Sequence, residues 1–187
     1  IAARAFYNNN TLSNIIIPDS VKEIGEYAFC NVSLETIDIP DSVTEMGSYA
    51  FNSCTSLVSV TVPSSVTVLQ DGVFASCSNL ISVNLPETLV SIDEHAFRYC
   101  SSLAVADIPE SVVSIGDHAF FNCDSLTELN ISSGVASIGS YAFSWCYSLT
   151  NVLIPSGVET IGAGAFYDCN NLVSVYISES VSSIGDG

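Results

Sequence analysis

Positive charge is almost missing from this chain. Arg4, Lys22 and Arg98 are its three basic residues, against twenty acidic ones, and the formal net charge is −17. Nucleic-acid binding needs a basic face to neutralise phosphates, and three side chains cannot build one. Anionic membrane surfaces are excluded for the same reason. No run of about 18 apolar residues is present, so direct membrane insertion is not expected. Catalytic and metal signatures are also lacking. There is no C-x-x-C spacing for zinc, no G-x-S-x-G, and no G-x-G-x-x-G or Walker-type glycine loop. Paired carboxylates such as Asp93-Glu94 fall in expected turns without a pocket. The expectation is a protein that is not an enzyme and holds no metal or cofactor.

What the chain does have is a strict internal period. Phenylalanine stands at Phe6, Phe29, Phe51, Phe74, Phe97, Phe120, Phe143 and Phe166, in steps of 23 with one step of 22. Seven of the eight follow an alanine, the exception being Val73. One unit of that length cannot bury its own apolar side and must stack on its neighbours, which makes a solenoid. Six residues past most phenylalanines comes a leucine (Leu57, Leu80, Leu103, Leu126), then aliphatics three and five further on (Val60 and Val62, Val83 and Leu85). This L-x-x-V-x-I run ends in period-two alternation, which marks a short strand with one buried face. All six prolines, Pro18, Pro40, Pro63, Pro86, Pro109 and Pro155, follow it in one column. Proline lacks an N–H and belongs at a strand boundary.

The second half of each unit reads S-V-x-x-I-G-x-x-A-F-x-x-C, as in Ser111 to Cys123. It is too short, and too rich in serine, glycine and β-branched residues, for a long helix. A short extended piece and a tight turn carrying alanine and phenylalanine inward are expected. Gly25, Gly47, Gly116, Gly139, Gly162 and Gly185 form a column that implies either positive φ or a close approach between turns. Gln70 and Asp93 interrupt it.

Six of the seven cysteines, Cys54, Cys77, Cys100, Cys123, Cys146 and Cys169, sit three residues past the phenylalanine; Cys30 lies outside the column. Equivalent side chains in stacked turns point in parallel, so their sulfurs do not face one another for a disulfide. A buried column of free thiols acting as small hydrophobes is expected. His95 and His118 share a column with Tyr27, Tyr49 and Tyr141, where adjacent turns bring planar side chains close without any ligand.

The consensus L-x-x-V-x-I-P-x-S-V-x-x-I-G-x-x-A-F-x-x-C resembles the BspA-like leucine-rich repeat family, over essentially the whole chain. The resemblance implies a right-handed leucine-rich-repeat superhelix with a parallel sheet on its concave side. It also implies a cell-surface or secreted protein, often one arm of a larger adhesin-like chain, and hence an extracellular location. The fold class expected is an α/β-type repeat solenoid, mostly short β-strands with little helix, forming one domain over residues 1–187 in about eight units. Both ends fall inside a repeat, so a piece of a longer protein is expected, with its raw ends covered by something.

Strand alternation names the outward positions. Asp38, Thr61, Asn84, Asp107, Asn130, Leu153 and Tyr176 lie between the buried aliphatics and are the expected partner-binding column. Leu153 and Tyr176 are its apolar anchors. An acidic edge follows the strands at Asp19, Asp41, Glu87, Glu110 and Glu179, without the dense D-x-D-x-D-G ligand set of a calcium loop. The leading function is a protein-interaction module of adhesin-like type, with a host or other surface protein as partner. A carbohydrate-binding module is the alternative, and needs aromatic platforms that the outward column supplies only at Tyr176. A stiff spacer presenting another domain is a third reading.

Overall fold

The computed structural model describes residues 1–187. The chain winds as a parallel β-solenoid of about seven turns, built from fourteen strands of two to four residues. It contains no helix, so the α/β label gives way to an all-β solenoid. The reason is local: each turn changes direction at proline and at the A-F corner before a helical nucleus can form.

Every strand pairs in parallel with the equivalent strand one repeat away. Val60 lies against Val83, Ala106 against Leu129 and Val152 against Val175. Ile92, Ile115, Ile138 and Ile161 follow one another in the same manner. Like side chains therefore pile into lines. The phenylalanine line is the clearest, with all eight rings stacked at centroid spacings from 5.1 to 5.7 Å. The six inner rings are fully buried. They belong to one continuous core of 50 buried residues running the length of the solenoid.

The expected parallel sheet of L-x-x-V-x-I strands is fragmentary. Ser59–Thr61 pairs with Ser82–Asn84, Val105–Asp107 with Glu128–Asn130, and Asn151–Ile154 with Ser174–Ile177, as three separate pairs. Proline at the end of most of these strands removes an N–H, so few ladder bonds remain to be made. The longer sheet lies in the other half of the unit. Six strands, from Val68–Leu69 to Ser183–Ile184, form it without a break.

The glycine column resolves in favour of close approach. Gly116 is not in the left-handed region, and a Cβ placed on it would sit 2.6 Å from the backbone of Asp93 and Glu94 in the preceding turn. Left-handed backbone occurs instead on both sides of the buried phenylalanine. Two residues before it, Tyr27, Tyr49, His95, His118 and Tyr141 have φ between 54° and 57°, and Gly72 and Gly164 have 58°. Two residues after it, Asn8, Asn31, Ser53, Ser76, Tyr99, Asn122, Trp145 and Asp168 have φ between 56° and 62°. This backbone points alternate N–H groups along the solenoid axis. Tyr49, Phe51 and Ser53 donate to Asp71, Val73 and Ala75 of the next turn at 2.7–2.9 Å. Three such bonds per turn hold residues whose φ would otherwise be costly.

The seven cysteines are free and buried. Those in the column do more than fill space. Each Sγ donates to the carbonyl of the phenylalanine one turn back, from Cys54 to Phe29 at 3.1 Å through Cys169 to Phe143 at 3.1 Å. Valine or alanine of similar size cannot supply that donor. Burial pushes the thiols of Cys54 and Cys100 up to about 12, so they stay protonated and able to donate.

Candidate functional site

The seven outward residues all lie exposed on the L-x-x-V-x-I segments, six of them on strands and Asp38 in a stretch joined to the next turn only by the Thr36–Ser59 bridge. Their spacing follows from the strands that carry them. Thr61 is in register with Asn84, Asp107 with Asn130, and Leu153 with Tyr176. Asn130 donates from Nδ2 to Asp107 Oδ1 at 2.6 Å, and Ser174 Oγ donates to Asn151 Oδ1 at 2.6 Å, so polar groups of this face are already ordered across turns. Leu153 and Tyr176 stand 56% and 65% exposed, an apolar end to a polar strip.

The acidic edge and the outward column form one surface. A groove of about 440 Å³ is lined by Asn84, Asp107 and Asn130 together with Glu87 and Glu110. A second, of about 790 Å³, joins Asp38, Thr61 and Asn84 to Asp19 and Asp41. A third, of about 510 Å³, brings Asn130, Leu153 and Tyr176 together with Glu128. None of the three is lined by a basic residue. The field over this face is negative along its N-terminal and middle parts, which favours basic groups on a partner.

The histidine column sits elsewhere, beside the buried phenylalanines. His95 and His118 stack at 5.3 Å. Asp71 links His95 to Tyr49, with Oδ1 3.1 Å from His95 Nδ1 and Oδ2 accepting from the Tyr49 hydroxyl at 2.8 Å. No Lys or Arg side chain of the molecule forms a salt bridge with a carboxylate. Burial, then the neighbouring His95 and Arg98, hold the His118 imidazole below its ordinary range. Burial and the bond to Asp71 raise the Tyr49 phenol to about 12. No three His, Cys, Asp or Glu side chains converge as a metal site.

One assembly is absent from the outward column. Tyr99, His118, Phe121, Tyr141, Trp145 and Tyr167 gather along the same edge as the histidines. They come from three different positions of the repeat, so no single column of the alignment displays them. Their nearness depends on the left-handed backbone that flanks the phenylalanine, and Asn8, Asn31, Asn122 and Asp168, residue types that tolerate it, were the available sequence signal.

The BspA type leucine rich repeat region, in six copies, matches residues 1–112 and 98–187. No curated protein matches the sequence. Among solved structures, the leucine rich repeat protein of T. pallidum is 35% identical, with a TM-score of 0.80, over 91% of this chain and 81% of that one. A leucine-rich repeat protein from Bacteroides ovatus is 26% identical with a TM-score of 0.55, over 98% of this chain and 71% of that one. A leucine rich cell surface protein from Faecalibacterium prausnitzii is 25% identical with a TM-score of 0.60, over 100% of this chain and 62% of that one. Solenoids of this kind typically act as non-catalytic scaffolds and generally mediate protein interactions. No helix of the structure is long and apolar enough to cross a membrane. The repeat pattern, the stacked register and the match over the whole length agree: the chain belongs to the BspA-type leucine-rich repeat family.

Proposed function

We propose that this solenoid is a non-catalytic, adhesin-like interaction module of a cell-surface or secreted protein, and that it binds a partner protein through the face of its L-x-x-V-x-I strands. The observation that carries this reading is the merging of the outward column with the acidic edge into one exposed, base-free strip. The resemblance to a leucine rich cell surface protein supports the location. In this reading the solenoid is right-handed, with that strip on its concave side. Asp38, Thr61, Asn84, Asp107 and Asn130 provide polar and acidic contacts, and Leu153 and Tyr176 provide the desolvated anchors.

An array of extracellular-matrix and surface proteins, probed with the purified chain, tests it. A bound partner should carry a basic patch and be released by rising salt, because the exposed charges are screened. The double variant Asp38→Lys/Asp107→Lys should abolish that binding, and Tyr176→Ala should weaken it about tenfold or more. Retained affinity in both variants would exclude this face.

A further inference from the structure

We propose that the aromatic edge is a second binding surface, separate from the strand face, and that it takes an uncharged β-linked polysaccharide chain. Over the turns of Phe97, Phe120, Phe143 and Phe166, rings occupy the positions flanking the buried column. Phe121 is the hub, with centroids 5.7 Å from Tyr99, 5.3 Å from His118 and 5.0 Å from Trp145. His118 stacks on Tyr141 at 5.3 Å, and Tyr141 meets Tyr167 at 6.3 Å. Tyr99, Tyr141 and Tyr167 remain 39%, 38% and 52% exposed. Phe121, His118 and Trp145 between them are half-buried, and a contiguous set of rings that opens to water at three tyrosines marks an interaction surface. It is also rigid: Tyr99 N–H donates to Phe121 O at 2.8 Å and Trp145 N–H to Tyr167 O at 2.9 Å, which fixes the backbone from which the rings project.

Charge decides between occupants. The Arg98 guanidinium already lies over Tyr99 at 4.7 Å and over Phe121 at 5.3 Å, and its Nη2 donates to the Tyr99 hydroxyl at 3.1 Å. Those two rings have spent their attraction for a cation on a residue of the protein itself, which disfavours a lysine-rich ligand. Asp168 takes the place of Trp145 in the following turn, and Asn122, which donates to Asp124, takes it in the preceding one. The two carboxylates repel a polyanion, yet accept hydrogen bonds from hydroxyl groups. Neutral pyranose rings satisfy both conditions. Their apolar faces lie on Tyr167 and Trp145, which neither Arg98 nor His118 covers, and their hydroxyls reach Asp124, Asp168 and Asn122.

Period matching adds specificity. Turns repeat at about 4.8 Å, the strand spacing of a sheet. An extended β-linked glycan advances by close to that distance per sugar, so successive sugars meet successive turns. An α-linked glucan curls and loses register.

Calorimetric titration of the 187-residue chain with cellohexaose and with N-acetylchitohexaose tests the proposal. Saturable binding of at least one, together with a shift in the fluorescence of Trp145, the only tryptophan, is expected. Tyr167→Ala should weaken binding at least tenfold, as should Trp145→Asn, which copies Asn122 at the same repeat position. Tyr176→Ala, on the strand face, should leave it unchanged. The Tyr167 ring is half exposed, so its removal decides the matter even if Trp145→Asn disturbs folding. Absence of binding to both oligosaccharides overturns the proposal. So does equal binding of maltohexaose, retention of affinity in Tyr167→Ala, or a Trp145 response to octalysine in place of the sugars.

Discussion

Replacing Phe120 with alanine should strike the solenoid at its most tightly determined point. The Phe120 ring is fully buried between Phe97 at 5.1 Å and Phe143 at 5.2 Å. The turns on either side cannot close over the void, because Phe97 N–H donates to Ala119 O and Phe120 N–H to Ala142 O, both at 2.7 Å, and these bonds set the turn spacing. Loss of a buried phenylalanine costs about 3–5 kcal/mol when the site cannot collapse. Phe6→Ala provides the comparison. Phe6 has one stacked neighbour, Phe29 at 5.1 Å, and is only partly buried, so about 1–2 kcal/mol is expected there. Urea unfolding read by far-UV circular dichroism and by Trp145 fluorescence measures both. In a one-dimensional array a break in the middle also uncouples the halves. The two probes should therefore separate in Phe120→Ala while coinciding in Phe6→Ala. A central loss no larger than the terminal one, or one below about 1 kcal/mol, would refute the claim that the ring stack carries the core.

Four further outcomes are expected. Gly116→Ala should lower stability by about 1–2 kcal/mol, since its Cβ meets the backbone of Asp93 and Glu94 and not a forbidden φ; an unchanged urea midpoint would contradict close packing of the turns. Cys100→Ala should cost about 1–2 kcal/mol through lost volume and the lost bond to the Phe74 carbonyl. Cys100→Val, which copies Val32 at that repeat position, should cost less; the reverse order would count against a packing contribution. Native protein should leave the six columnar thiols unreactive to a thiol reagent, and denaturant should release all seven cysteines. Because His118 has its pKa lowered by burial, the unfolded chain binds more protons as pH falls through the ordinary histidine value. The stability associated with neutral His118 is complete above that value and is lost on acidification toward the folded one. His118→Tyr, which suits the left-handed backbone that Tyr27, Tyr49 and Tyr141 share, should show a smaller drop in urea midpoint between about pH 7.5 and about pH 5.5 than the parent. An equal drop would show that the imidazole is not the group responsible.

Period and alternation are one-dimensional properties, and they made most of the fold legible. The 23-residue return of phenylalanine specifies stacking, and the position of Pro63 or Pro86 specifies where a strand must stop. Val60 beside Val83 and Ile115 beside Ile138 follow once the turns are in register. The outward column could likewise be named in advance, since side chains alternate along a strand. Backbone conformation was less accessible. Nothing in Tyr49 or Trp145 advertises left-handed φ, because that conformation is imposed by hydrogen bonds to the next turn and not by local preference.

The sequence by itself therefore determined the solenoid, the buried lines of Phe, Leu, Ile and Cys, the negative charge and the identity of the outward strand residues. Only the tertiary structure decided that the longer sheet lies in the S-V-x-x-I-G half, that Gly116 and its column mates lie against the backbone of the adjacent turn, and that each columnar thiol donates to the turn before it. It also decided that Tyr99, Phe121, Trp145, Tyr141 and Tyr167 share one edge. The physical reason is that periodicity assigns a residue to a column, whereas contact between different columns depends on how the corner between them bends, and that bend is set by bonds to neighbouring turns.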